Sequence, residues 1–330
     1  MCYALISPAN QGLAGSASEN PPVLLVTNKG DRLLSIIDAD TGKQMAGVPE
    51  DGVTGHEVAA SPDGRTAFVP IYGNSGVGQP GTDGQKMVVI DIPSRKIRAT
   101  VEFGPVRPHC PIYDPVSKML YVTTELKRSV TIVNPRTLKI VGSIPTSQEQ
   151  SHMLAISHDG RRGYTANVGP GTVSVLDMAA RKTIAVIPIS AETQRISVSP
   201  NDRLVFTSDQ KSPRLAVIDT GSNTIKTWVT MPGTGYGTAP TPDGRWLLAA
   251  IPGRNLVAVV DLRKFAVART IAVPPTPQEV LMRPDGSQAF VSCNRSGQVA
   301  VIDLAQWKVK SLIRSGRDAD GMAWAGSPPA

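Results

Sequence analysis

The sequence carries few of the signals that announce a function. Aromatic residues are 5% of its 330 residues, and there are only three cysteines and four histidines. Cys2, Cys110 and Cys293 form no C-x-x-C pair, so neither a disulfide framework nor a thiolate zinc site is encoded. No apolar run approaches the roughly 18 residues a membrane-spanning helix needs. Nucleophile-elbow, phosphate-loop, H-E-x-x-H and haem-attachment motifs are all missing. G-V-G-Q-P-G at 76–81 matches a dinucleotide fingerprint in spelling, but it lies in a loop with no helix behind it. Residues 1–20 lack a basic start and an apolar stretch, so a flexible tail, or the remnant of a processed leader, is expected ahead of a single domain over 21–330.

Turn formers are abundant by contrast, with 30 glycines and 28 prolines beside 41% apolar residues, which favours many short strands over long helices. A hydrophobic run ending in Asp or Asn recurs seven times, closing at Asp38, Asp91, Asn134, Asp177, Asp219, Asp261 and Asp303. The successive intervals are 53, 43, 43, 42, 42 and 42 residues. Each full period also carries an S-P-D-G-like turn, as at 61–64, 157–160, 241–244 and 283–286. Four strand-like runs fit in each period, which is the blade pattern of a propeller. Three strands at the N-terminus and one, DGMAWA at 320–325, at the C-terminus complete a seventh blade. An all-β, seven-bladed propeller of four antiparallel strands per blade is therefore expected, with its ring closed by the two ends of the chain, leaving no open sheet edge at the joint.

These repeats, together with LLVTN at 24–28 and LYVTT at 120–124, resemble the YVTN-repeat, or YncE-like, family of seven-bladed propellers over residues 21–325. The resemblance implies the fold. For activity it leaves lactonases, a lyase, cofactor-bearing oxidoreductase domains and non-catalytic surface proteins open, since one architecture hosts unrelated chemistry. It also implies a periplasmic or secreted location.

The net charge of +7 has a plain origin in the repeat, because many lysines and arginines fall in the turns that join the first strand of a blade to the second and the third to the fourth. With few aromatics interleaved, a solvated face is expected there and no nucleic-acid partner. The repeated Asp that ends each third strand reads as a turn former.

Three of the four histidines share one repeat position, five residues before the Ser of the S-P-D-G turn. Around the ring that position reads His56, His109, His152, Gln194, Tyr236, Gln278 and Asp320. It opens the innermost strand at the channel mouth. Three imidazoles from consecutive blades suit a divalent transition metal (Zn, Fe, Cu, Mn or Ni), with Asp320 or Glu57 as a further ligand or as an acceptor that fixes an imidazole tautomer. The long interval places an insertion over 71–86 beside His56, where Tyr72 and Asn74 could contact a ligand. Arg107, Glu149, Arg195 and Glu279 project to the same mouth and could orient an anionic substrate or move protons. His109 and Cys110 are neighbours on a strand and are expected to face opposite ways. The reading is a metal-dependent enzyme acting on a small molecule by lactone-type hydrolysis, elimination or isomerisation. Asp320, Glu57, Tyr236 and Arg195 are its catalytic candidates, and Tyr72, Asn74, Arg107, Glu149, Gln194 and Gln278 its substrate-binding ones. The alternatives are a non-catalytic propeller that binds a peptide or protein, and a redox partner domain.

Overall fold

A computed structural model describes residues 22–74 and 76–326. The expected tail over 1–20 lies outside the described residues. Among the described residues there are seven four-stranded antiparallel sheets and three short 3-10 turns. Blades I to VII have innermost strands Ala59–Ala60, Pro108–Asp114, Ser151–Ile156, Thr193–Val198, Thr238–Pro240, Pro277–Met282 and Ala319–Ala325. In blade VII the C-terminal Ala319–Ala325 pairs with Val23–Asn28, Leu24 lying opposite Trp324, so the chain ends close the ring as expected.

Burial follows position in the blade. The second and third strands are almost wholly buried, as over 120–124 in blade II and 215–218 in blade IV, because each sheet packs a neighbour on both faces. The outermost strands alternate exposed and covered residues, as in Lys182–Pro188, because one face meets water.

The repeated turn residues have structural roles. All seven Asp or Asn side chains that end the third strands accept N–H groups two or three residues on, for example Thr41 on Asp38 and Gln306 on Asp303. In the S-P-D-G turns the Ser or Thr oxygen accepts the N–H five residues on, at 3.0 Å from Thr66 to Ser61. Gly64 there has φ of +68°, which removes any steric cost of the left-handed turn.

Irregular pairing also repeats. In five blades the register between the first two strands breaks at the ring position: Pro108/Pro111, Ser151/Met153, Thr193/Ile196, Pro277/Val280 and, in blade VII, across Asp320–Gly321. In blades I and V the inner strand begins only after His56 and Tyr236. A bulge releases residues from the two-residue alternation and re-aims them. Here it lets the ring residue and the one after it both serve the channel.

Candidate functional site at the channel mouth

A cavity of about 140 Å³ sits at the mouth, lined by Lys29, His56, Tyr72, Gly76, Val77, His109, His152, Gln194, Arg195, Tyr236 and Asp320. Six of the seven ring positions read from the repeat therefore meet in one place. Gln278, the seventh, does not line the cavity.

The three imidazoles do come together, but by packing rather than by convergence. His109 and His152 stack with centroids 3.6 Å apart and planes at 25°. His56 lies edge-on to His109 at 5.5 Å. Lone pairs lie in the ring planes, so two nearly parallel rings aim theirs side by side. One ion at the usual Zn–N distance of about 2.0–2.1 Å cannot satisfy both. Among the described residues no group of three His, Cys, Asp or Glu side chains is arranged to hold a metal.

Tyr72, from the insertion, fills the space above the rings, 4.8 Å from His56 and 4.9 Å from His109. It is fully buried, and its hydroxyl donates to Glu125 Oε2 at 2.7 Å. The insertion is held from the next blade. Arg107 Nε donates to Asp83 at 2.6 Å, and its Nη2 donates to the Gln79 carbonyl at 2.8 Å. A Cβ on Gly84 would overlap the Ile71 carbonyl oxygen, so the loop's return needs glycine. These contacts bring Gly76 and Val77 to the cavity wall.

Glu125 is not singled out by the sequence. It follows the second strand of blade II, is 2% exposed, and accepts from His152 Nδ1 at 3.3 Å as well as from Tyr72. Burial pushes its carboxyl up, but the hydrogen bonds from His152 and the Tyr72 hydroxyl outweigh that and hold it below the usual carboxylate range. Lys29 escapes notice in the same way. It follows the second strand of blade VII and pairs with Asp320 at 2.8 Å. Comparing the residue after the second strand in every blade would have found both, since the others are Ile71, Val168, Gln210, Pro252 and Asn294.

All three imidazoles are held neutral. Burial, aided by the charge of Lys29, pushes His56 down to about 3. Burial and the neighbouring imidazoles push His109 well below its ordinary value, and burial lowers His152 despite Glu125. His109 Nδ1 donates to the His152 carbonyl at 3.2 Å and His152 Nδ1 to Glu125, which leaves Nε2 of each ring as the lone-pair nitrogen.

Beneath lies a charged layer centred on Arg195. Its guanidinium contacts Glu57 at 2.7 Å and Asp320 at 3.1 Å, and it lies over the Tyr236 ring at 5.0 Å. Burial raises Glu57 to about 7, Arg195 opposing and Asp320 adding to the shift. Burial also raises Asp320, but Lys29 and Arg195 bring it below its ordinary value.

Four of the six substrate-binding candidates stand outside the cavity: Gln278, Arg107, which braces the insertion and lines a neighbouring groove, Asn74 and Glu149. Asn74 accepts the Thr82 N–H at 2.8 Å on the exposed side of the insertion. Glu149 is exposed, pairs with Arg128 at 2.5 Å, and lines a separate groove on the same face. The opposite-face expectation for His109 and Cys110 also fails, because the bulge turns both inward: His109 lines the mouth and Cys110 the bore below. The two still do not pair, since the buried Cys110 thiol faces the Leu154 carbonyl.

The sequence profile of the family described as "Lactonase, 7-bladed beta-propeller" matches residues 35–231. The chain belongs to that family. The match agrees with the propeller class of the YVTN resemblance rather than with that finer name. No curated protein matches. Among solved structures the chain is similar to the Kuenenia stuttgartiensis hydrazine synthase, with a TM-score of 0.74 and 18% identity over 90% of this chain and 99% of that one. It is also similar to the dihydro-heme d1 dehydrogenase NirN in complex with DHE, with a TM-score of 0.64 and 17% identity over 94% of this chain and 68% of that one. At such identities the likeness concerns the fold alone.

Proposed function

We propose that this lactonase-family propeller hydrolyses a small lactone or related cyclic ester in the mouth cavity. The observation that carries the reading is the division of the cavity into two walls. Blades I to III supply neutral imidazoles, those of His109 and His152 with free Nε2 atoms, and the opposite side supplies Lys29, Arg195, Tyr236 and Gln194. At roughly 30 Å³ per water in the liquid, the cavity suits a ring of only a few heavy atoms.

In this reading His152 is the general base, oriented by Glu125 through Nδ1 as an imidazole is oriented by a carboxylate in hydrolytic triads. A water loses its proton to His152 Nε2 as its oxygen attacks the ester carbonyl. Lys29 and the Tyr236 hydroxyl stabilise the oxyanion. Collapse breaks the acyl–oxygen bond, the proton on His152 passes to the leaving alkoxide, and a hydroxycarboxylate results. Arg195, Glu57 and Asp320 position Lys29 and Tyr236. A metal at the imidazoles would require the His109–His152 stack to open, and the chemistry it would supply there is Lewis acidity toward the same water.

The test is ester hydrolysis by wild-type, His152→Ala and Glu125→Gln proteins across pH 5–9, with elemental analysis of the same samples. Loss of at least a hundredfold in kcat for His152→Ala and a smaller loss for Glu125→Gln is expected, with no acid limb near the ordinary imidazole value. Burial lowers His152 from its ordinary value, so its acid limb should fall below that of a free imidazole. Stoichiometric metal that disappears in His152→Ala would favour the metal-dependent form. No hydrolysis of any small lactone would leave the non-catalytic binding propeller as the reading.

A further inference from the structure

Below the charged layer the central channel continues as a bore of about 530 Å³ that reaches His158 and Trp324 on the turn face. Its walls are apolar, among them Ala59, Ile112, Leu154, Ile196, Leu281 and Met322. This largely apolar tube ends on two acids. Glu57 and Glu279 form its inner end.

The two acids differ. Glu57 is compensated by Arg195, whose other terminal nitrogen goes to Asp320. Glu279 accepts the Met322 N–H at 2.5 Å but, among the described residues, has no cation at salt-bridge distance. It keeps surface toward the bore although it lies deep in the molecule. Burial, then the neighbouring Glu57, pushes its carboxyl well above the ordinary value, the direction expected of an acid with no counter-charge beside it. An ammonium would supply that counter-charge. Glu279 would then release its proton, and the net charge of the layer would be unchanged.

We propose that the bore is a second ligand site, separate from the mouth cavity, which takes a slender apolar amine with its ammonium on Glu279 and its hydrocarbon body along the channel walls. Arg195 and Glu57 form the partition, one facing each compartment. The site does not depend on the hydrolase reading. Failure of either would leave the other standing.

The experiment is calorimetric titration of the full chain at pH 7.5 with n-hexylammonium, hexan-1-ol and hexanoate, in two buffers of different ionisation enthalpy. The amine is expected to bind at least tenfold more tightly than the alcohol or the acid, with about one proton released. Each methylene added from butyl to hexyl should strengthen binding about fourfold. Glu279→Gln should weaken the amine at least tenfold and abolish proton release, and Ala155→Trp should block all three probes. Equal affinity for the three heads, no proton release, no binding of the amine, or binding that survives Ala155→Trp would each overturn the proposal. The comparison of probes on wild-type protein stands even if a variant fails to fold.

Discussion

Replacing Arg195 with methionine tests whether the charged layer is held together by one guanidinium. The change keeps much of the side chain's length and apolar volume but leaves Glu57 and Asp320 without their shared partner, two contacts now at 2.7 and 3.1 Å. Removing one member of a buried charge group costs about 3–5 kcal/mol. With an unfolding entropy of about 2.1 cal/mol/K per residue, a propeller of roughly 300 residues should lose about 5–8 °C in Tm. The loss must depend on pH. Glu57 already titrates near 7 with Arg195 present, and without it the value rises further. A carboxyl whose folded value lies above its unfolded value of 4.5 stabilises the fold at low pH, and that contribution is lost as pH rises through the folded value. The deficit should therefore be largest at pH 8 and shrink markedly by pH 5.5, while Asp320 remains paired with Lys29. Thermal unfolding of the wild-type and Arg195→Met proteins at the two pH values, with Glu57→Gln alone and combined with Arg195→Met, measures this. A deficit equal at both pH values, or no recovery when Glu57→Gln is added, would refute this account.

Two further outcomes follow from buried groups away from the mouth. Glu50 accepts the Gly55 N–H at 2.6 Å through Oε2, has no partner for Oε1, and is pushed up to about 7 by burial. Glu50→Gln should thus stabilise the protein at pH 8 by about 3 kcal/mol at most and by little near pH 5, read as a pH-dependent difference in Tm. Leu24, fully buried opposite Trp324 at the ring closure, should cost about 2–5 kcal/mol as Leu24→Ala, measured by denaturant unfolding, if closure of the ring carries stability.

The fold was legible because its signals are local and repeated seven times. The Asp or Asn that ends each third strand makes the same short-range hydrogen bond in all seven blades, and the Ser or Thr of the S-P-D-G turn does so in four, so spacing alone located them. The ring position was legible for the same reason, and six of its residues meet at the mouth. The bulge at that position was not. It is set by how the inner strand pairs, not by any residue type, and it reverses the simple alternation used to separate His109 from Cys110. Glu125 and Lys29 were missed because their partners, His152 and Asp320, come from other strands or from the far end of the chain. Asn74 and Glu149 were placed at the site by proximity in sequence, but local partners, the Thr82 amide and Arg128, claim them.

The bulge also explains how one ring can carry such uneven chemistry. A residue at a bulge is released from the strict in–out alternation that fixes its neighbours, so its side chain can be aimed at the channel. The ring residue and the one after it, at a bulge in five blades and ahead of the inner strand in blades I and V, build two layers with different tasks. The upper layer is His56, His109 and His152 on one side with Gln194, Tyr236 and Asp320 on the other. The lower layer is Glu57, Cys110, Arg195 and Glu279. Because Arg195 bridges the layers, reaching both Glu57 below and Asp320 above, the ionisation of the bore is tied to that of the mouth. Whatever binds at Glu279 must therefore be felt, through Glu57 and Arg195, at the side chains that face the upper cavity.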